Sequence, residues 1–128
     1  MPHRSLLLLA ALDALTGVMA GAFGAHALKT VLDDYRLGIY HTAVEYQMWH
    51  ALGLGLIAVM AGQMPAARYL VTAGWIMQAG ILLFSGSLYA LALTGITALG
   101  MITPAGGTAF IVAWGLLIRQ VLAFDKPR

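Results

Sequence analysis

The chain has 128 residues, of which 61% are hydrophobic and only 9% are charged. A soluble domain carries roughly 25% charged residues, so this composition excludes an ordinary soluble protein and indicates a surface that faces lipid. The net charge of +2 comes from scattered basic residues, and the chain has no cysteine. Nucleic-acid binding is therefore not expected, and disulfides and cysteine-based metal sites are excluded.

Four stretches are long and apolar enough to cross a bilayer as helices, because a span requires about 20 mostly apolar residues. They are residues 5–28, 42–63, 69–93 and 104–124. Met64 followed by Pro65 ends the second span, Thr94 followed by Gly95 ends the third, and Thr103-Pro104 is a typical helix start for the fourth. The pattern predicts an all-α polytopic membrane protein, with residues 1–128 forming a single bundle of four transmembrane helices.

The loop between the first two spans, residues 29–40, carries charges of both signs that cancel, together with Tyr35 and Tyr40. Tyrosine is enriched where membrane helices meet the aqueous interface. The composition therefore predicts a short amphipathic helix in this loop.

The distribution of Lys and Arg predicts the orientation, because cytoplasmic loops carry an excess of these residues. With four spans, both termini and the loop after the second span share one side of the membrane. That side carries five basic residues against two on the other, and the five are Arg4, Arg68, Arg119, Lys126 and Arg128. The sequence thus predicts a multi-pass membrane protein with both termini in the cytoplasm or the equivalent inner compartment.

Small residues recur along the predicted spans, and Gly17 and Gly21 form a GxxxG unit in the first. Such residues let membrane helices approach closely, either within one chain or between two copies. In a chain with four spans, packing against its own helices is the favoured interpretation, and homodimerisation is the alternative.

Asp13 is the acidic residue of the first span, about 12 Å from its start at 1.5 Å per residue. A buried Asp is costly in lipid, about 2.5–3.5 kcal/mol on insertion scales, so a partner is expected. Arg119 and Gln78 lie at similar depths in other spans, which predicts an Asp13–Arg119 ion pair in an inner polar layer. The alternative is that Arg119 extends to the headgroups and Asp13 is protonated or bonded to a backbone carbonyl.

The outer half holds a second polar group, formed by His26, His41, Glu45 and His50. His41 and Glu45 are four residues apart and share a helical face, whereas His50 is half a turn away from His41. One helix therefore does not direct all three side chains to one ion, and the spacing is not that of the HExxH zinc motif. A hydrogen-bond network is favoured over a metal site, and neither a metal nor a cofactor is predicted.

His50 and Ser85 lie at the same predicted depth, each eight residues from the outer end of its span. This predicts a hydrogen bond from His50 to Ser85 or Ser87 of the third span. The functional alternative is a proton relay through His41, Glu45 and His50, because intramembrane ionisable residues often mark proton paths. The residues of this intramembrane polar site are thus His26, His41, Glu45, His50, Ser85 and Ser87.

Four segments carry motifs that point to a known family. Residues Gly21–Lys29 read GAFGAHALK, and Thr42–Leu52 read TAVEYQMWHAL. The third segment reads FSGSLY at Phe84–Tyr89 with LTG at Leu93–Gly95, and the fourth reads LGMITPAGG at Leu99–Gly107. Together these segments resemble the bacterial family called Domain of Unknown Function 423, whose eukaryotic relatives are the transmembrane protein 256 homologues.

The resemblance covers nearly the whole chain and implies a small inner-membrane protein of four helices without an established activity. It also implies that His26, His50, Ser85, Ser87 and the Thr103–Gly107 turn belong to family motifs, whereas Asp13 does not.

No complete catalytic set is present in the sequence, so the chain is not expected to be an enzyme and no catalytic residue is assigned. A structural, accessory or assembly component of the membrane is the favoured function, and its expected partners are the lipid bilayer and either further copies of itself or a larger membrane complex. The alternative is a small, oligomeric transporter or channel for a proton, an ion or a small solute, because His41, Glu45, His50 and Asp13 lie within the spans.

Overall fold

The computed structural model describes residues 1–124 as four long helices joined by short turns. The helices are α1 (Pro2–Phe23), α2 (Asp34–Gln63), α3 (Arg68–Thr94) and α4 (Thr103–Phe124). A π-helical segment, Gly24–Leu28, continues α1, and a 3₁₀ turn, Thr97–Met101, precedes α4. The predicted all-α class is confirmed for this part of the chain. Lys126 and Arg128, which contribute to the predicted orientation, lie outside the described residues.

Three helical segments are long and apolar enough to cross a membrane, judged by length and composition. They are Pro2–Leu28, Arg68–Thr94 and Thr97–Phe124. With 30 residues α2 is the longest helix, yet it does not qualify by composition because polar side chains such as Gln47 and His50 lower its mean hydropathy.

The ends of α2 and α3 are those that the sequence predicts. α2 stops at Gln63, where Met64 leaves the helical region before Pro65. α3 ends at Gly95, whose φ of 74° is left-handed and whose N–H donates to the carbonyl of Leu91 at 2.8 Å. Glycine adopts this conformation without the steric cost that a side chain would bring, so it closes the helix efficiently.

The start of α2 differs from the prediction. The loop holds no separate amphipathic helix, because α2 begins at Asp34, eight residues before the expected start of the span. Asp33 caps it by accepting a 2.8 Å hydrogen bond from the N–H of Arg36. The guanidinium of Arg36 then donates to the carbonyl of Ala92 near the end of α3 at 2.6 Å. The cap and this contact extend α2 outward and hold it against α3.

Each helix packs mainly against its neighbours in the chain, so α2 lies between α1 and α3, and α3 lies between α2 and α4. The main hydrophobic core joins all four helices, and its fully buried side chains include Leu6, Leu54, Ile57, Leu70 and Met77. A smaller core near the opposite end is formed by Leu28, Leu32, Tyr40 and Ala92.

The GxxxG unit packs inside the chain, as the favoured interpretation predicts. Gly17 faces Met48, and Gly21 faces Val44, both on α2. Another close approach occurs between α3 and α4, where a side chain on Gly106 would collide with the backbone of Phe84. Lipid tails are as apolar as the helices themselves, so this close packing through small residues stabilises the bundle.

Candidate functional site

A hydrogen-bond network joins α1, α2 and α3 through the side chain of Gln47, which is only 6% exposed. Its amide nitrogen Nε2 donates to the carbonyl of Asp13 at 2.8 Å and to the hydroxyl of Thr16 at 2.9 Å. Its amide oxygen Oε1 accepts a 2.7 Å hydrogen bond from the hydroxyl of Tyr89. Both ends of the amide are therefore bonded, and one residue of α2 holds both neighbouring helices.

Tyr40 extends this network towards the outer end of the bundle. Its hydroxyl donates to the carbonyl of Ala20 at 2.5 Å, and its ring lies edge-on to that of Tyr89, with centroids 5.2 Å apart. The ring fits against Gly24, where a Cβ atom would collide with it. Gly24 begins the π-helical segment, so the family-like GAFGAHALK motif provides the surface against which Tyr40 packs.

These polar residues line a crevice of about 280 Å³ between α1, α2 and α3. Phe23 and Leu93 complete its wall near the outer end. The hydroxyls of Tyr40 and Tyr89 and the amide of Gln47 are already bonded to the protein. The crevice therefore offers an incoming ligand mainly apolar contact.

His50 is buried in an aromatic cluster rather than in this network. Its Nδ1 lies 2.8 Å from the carbonyl of Tyr46, one turn earlier in α2. Its ring stacks on Phe110 of α4, with centroids 3.5 Å apart, and lies within 6 Å of the rings of Tyr46 and Trp114. His50 thus connects α2 to α4 mainly through ring stacking.

The predicted hydrogen bond from His50 to Ser85 or Ser87 is wrong. Ser85 donates instead to the carbonyl of Ala43 at 2.7 Å, while Ser87 shares a 2.6 Å hydrogen bond with Thr103 at the start of α4. The reason is the early start of α2, which puts Ala43 at the level of Ser85. His50 lies seven residues further along, about 10 Å deeper.

The remaining histidines and the glutamate of the predicted site are not brought together with His50. His26 on the π-helical segment and His41 and Glu45 on α2 all lie on exposed surfaces. Among residues 1–124, no three His, Cys, Asp or Glu side chains are grouped so that they could hold a metal ion. A relay through His41, Glu45 and His50 has no geometric support, because His50 faces the interior and the other two face outward.

The predicted ion pair between Asp13 and Arg119 is also wrong. The guanidinium of Arg119 lies over the ring of Tyr69, 4.5 Å from its centroid, because a long side chain near the end of α4 reaches the interface more easily than the core. The predicted proximity of Gln78 to Asp13 is confirmed. Within residues 1–124, however, Oδ2 of Asp13 and Oε1 of Gln78 are both buried without a hydrogen-bond partner.

The residues that hold the outer half together were not among the predicted site residues. Gln47 and Tyr89 lie inside the motifs TAVEYQMWHAL and FSGSLY, and Tyr40 lies just before the first of these. The available signal was an amide within an apolar span, which lipid cannot hydrogen-bond and which therefore requires a partner on another helix.

Comparison with protein families gives a match to the model described as "Protein of unknown function (DUF423)" over residues 20–107. The chain belongs to this family. The UPF0382 membrane protein YwdK of Bacillus subtilis is 49% identical over 112 residues, which cover 88% of this chain and 91% of that protein. A UPF0382 membrane protein of Staphylococcus epidermidis is 45% identical over 118 residues, covering 92% of this chain and 95% of that protein. No solved structure matches the chain.

The match to the DUF423 family covers the α2 and α3 residues of the polar network and the α2 residues of the aromatic cluster, whereas Thr16, Phe110 and Trp114 lie outside it. Tyr40, Gln47, His50 and Tyr89 all lie within it, as does the GAFGAHALK segment. Asp13 lies before the matched residues, in agreement with the expectation that it belongs to no family motif. The relatives are membrane proteins by name, so the chain, which is all-helical over residues 1–124, belongs to a membrane-protein family without an established activity.

Proposed function

We propose that this chain is a structural or assembly component of the bacterial inner (plasma) membrane that works as a homo-oligomer, without a catalytic reaction or a cofactor of its own. In this proposal all four helices cross the bilayer. α2 packs between α1 and α3, both long and apolar enough to span. Because a helix enclosed by two spanning neighbours runs through the same layer, α2 is the fourth span despite its polar residues.

The proposed orientation has both termini in the cytoplasm. Arg4, Arg68 and Arg119 lie at the end of the bundle that contains the α2–α3 turn, whereas Lys29 and Arg36 lie at the opposite end. The positive-inside rule favours the first end as the cytoplasmic one.

The oligomer is proposed from one observation, which is an exposed glutamate at mid-membrane depth. Ala43 is level with Ser85, which is nine residues, or about 13 Å, from the end of α3 at Thr94. Glu45 lies two residues deeper, about 16 Å from that end of a helix about 40 Å long. Lipid solvates a carboxylate at this depth poorly. The side chain therefore requires a polar partner and a packing surface that the single chain does not supply.

Glu45 belongs to a continuous outward face of α2 that no other helix covers. At successive turns this face continues through large exposed side chains, which are 54% exposed at Trp49, 67% at Leu52 and 51% at Leu56. His41 lies one turn before Glu45 on the same face. The residues repeat at spacings of three and four, which is the pattern of a helix that packs along another helix.

A second copy of the chain fits this face. Two chains inserted in the same orientation and related by a two-fold axis would put α2 beside α2, so each residue meets the same region of its partner. Since His41 and Glu45 are one turn apart, His41 of one copy lies within reach of Glu45 of the other. The imidazole would then supply the donor that the carboxylate lacks, and Leu52 and Leu56 would pack across the axis.

The chain is well suited to a cross-linking test because it has no cysteine of its own. We expect Leu52→Cys to form disulfide-linked dimers when membranes containing the variant are oxidised. Ile111→Cys on α4 is the matched control, since Ile111 is 75% exposed and lies one turn from Trp114, which contacts Gly53 beside Leu52. Glu45→Leu in the Leu52→Cys background should keep the fold and change the cross-linking yield.

Equal dimer yields from Leu52→Cys and Ile111→Cys would reject this interface. A measurable proton or ion flux in vesicles containing the purified protein, abolished by Glu45→Gln, would instead favour a transport function.

A further inference from the structure

A cavity of about 570 Å³ lies at the end of the bundle where α3 begins and α4 ends. Its lining consists of Ala66, Arg68, Tyr69, Thr72, Gln120 and Ala123. A second cavity of about 450 Å³ shares Tyr69 and Ala123 with it and is lined also by Arg119, Ile118 and Leu122. Among residues 1–124, no acidic side chain lines either cavity. Two cationic residues therefore flank a continuous concave surface at one end of the membrane domain.

Gln120 adds a third polar side chain to this surface, besides the two arginines. The residue is only 8% exposed and lines the first cavity, yet its amide forms no hydrogen bond with any residue of the range 1–124. Because the amide opens into the cavity rather than into packed protein, it is able to donate to a bound molecule. The amide nitrogen of Gln120 is a donor suited to an oxygen-rich ligand.

The other groups around the cavity favour an anion. The guanidinium of Arg119 stacks on Tyr69, 4.5 Å from the ring centroid, which holds it in place and leaves the N–H groups at its edge able to donate. Arg68 is the first residue of α3, whose N-cap, Ala67, provides no side-chain cap. The N terminus of a long helix carries a partial positive charge, which adds to that of Arg68. The hydroxyl of Thr72, one turn further on, also lines the first cavity and donates to the carbonyl of Arg68 at 3.4 Å.

The apolar side of the second cavity distinguishes a lipid from a free anion. Ile118, which is 61% exposed, and Gly115 lie on the membrane-interior side of Arg119 along α4, and both line the second cavity. A phosphate held by the arginines would therefore have its acyl chains lying along α4 at Ile118 and Gly115. Basic pockets between membrane helices at the cytoplasmic surface bind anionic headgroups in the same way.

We propose that Arg68, Arg119 and Gln120 bind the phosphate of an anionic phospholipid, whose acyl chains pack along α4 at Ile118 and Gly115. The arginines supply charge-assisted donors, and the amide of Gln120 supplies a neutral donor at the base of the cavity. This site is at the opposite end of the bundle from the crevice of Tyr40 and Gln47, and the inference holds whether or not the chain forms a homo-oligomer.

The test measures the thermal unfolding of the purified full-length protein in a neutral detergent with added lipid. Phosphatidylglycerol should raise the unfolding temperature more than phosphatidylcholine of the same chain length, and inorganic phosphate alone should have little effect. Arg68→Gln and Arg119→Gln should each weaken the apparent phosphatidylglycerol affinity about fivefold, which corresponds to about 1 kcal/mol per basic residue.

Arg4→Gln is the matched control, because Arg4 is exposed at the same end of the bundle but lines a different cavity. An equal loss of affinity in Arg4→Gln would show a diffuse charge effect and overturn the site. Stabilisation by inorganic phosphate equal to that by phosphatidylglycerol would overturn the lipid assignment. Gln120→Leu retains both arginines and fills the space with an apolar side chain, so unchanged phosphatidylglycerol affinity in this variant would also contradict the proposal.

Discussion

The hydroxyl of Tyr89 on α3 donates a 2.7 Å hydrogen bond to the amide oxygen of Gln47 on α2, while the nitrogen of the same amide donates to α1. Through this contact three helices share one buried polar group whose hydrogen bonds are all made within the protein. In lipid, where no water competes, such a group orients helices that would otherwise rotate freely about their axes.

Replacing Gln47 by Leu should destabilise the protein by about 2 kcal/mol, because three interhelical hydrogen bonds are lost at about 0.6 kcal/mol each. Tyr89→Phe removes one of them and should cost about 0.6 kcal/mol. Unfolding of both single variants and of the double variant in a denaturing detergent measures the coupling between the two residues. Losses that simply add in the double variant would contradict a direct Gln47–Tyr89 interaction.

Substitution of Gly106 by Ala should be among the most destabilising single-methyl changes in α4. The added Cβ would overlap the backbone nitrogen of Phe84 on α3, and backbone atoms move only if the two helices separate. Overpacking of this kind costs about 1–3 kcal/mol.

Gly115→Ala in the same helix is the control for Gly106→Ala, since nothing lies within 4 Å of the Cβ that it would add. Its stability should stay within about 0.5 kcal/mol of the original chain. Thermal unfolding of the two variants side by side separates helix contact from helix propensity, and equal effects would show that the α3–α4 approach is looser than described.

Asp13→Asn should leave the fold intact and raise stability by about 1 kcal/mol. Oδ2 of Asp13 and the neighbouring Oε1 of Gln78 are both acceptors without a donor, and an asparagine amide supplies one. Arg119→Ala should combine additively with this change, because Arg119 contacts Tyr69 rather than Asp13. A large loss of stability in Asp13→Asn that Arg119→Ala restores would reinstate the ion pair.

Several features of this protein were predictable because they depend on local chemistry. The apolar stretches predicted the helices, Gly95 and Met64-Pro65 predicted where two of them end, and the GAFGAHALK segment indicated the family. The packing of Gly17 and Gly21 within the chain was also predictable, since a chain with several helices has its own surfaces to cover.

The pairing of polar residues was decided only by the tertiary structure. An apolar stretch shows where lipid begins but not where the helix begins, and the cap at Asp33 starts α2 eight residues early. That shift brings Ala43 rather than His50 to the level of Ser85. Rotation about each helix axis is likewise set by packing, which directs His50 towards Phe110 and Glu45 outward. The sequence alone thus determined that the chain forms long apolar helices of a DUF423 membrane protein. Their register and rotation, and therefore every contact of the candidate sites, arise from side chains that meet only when the helices pack.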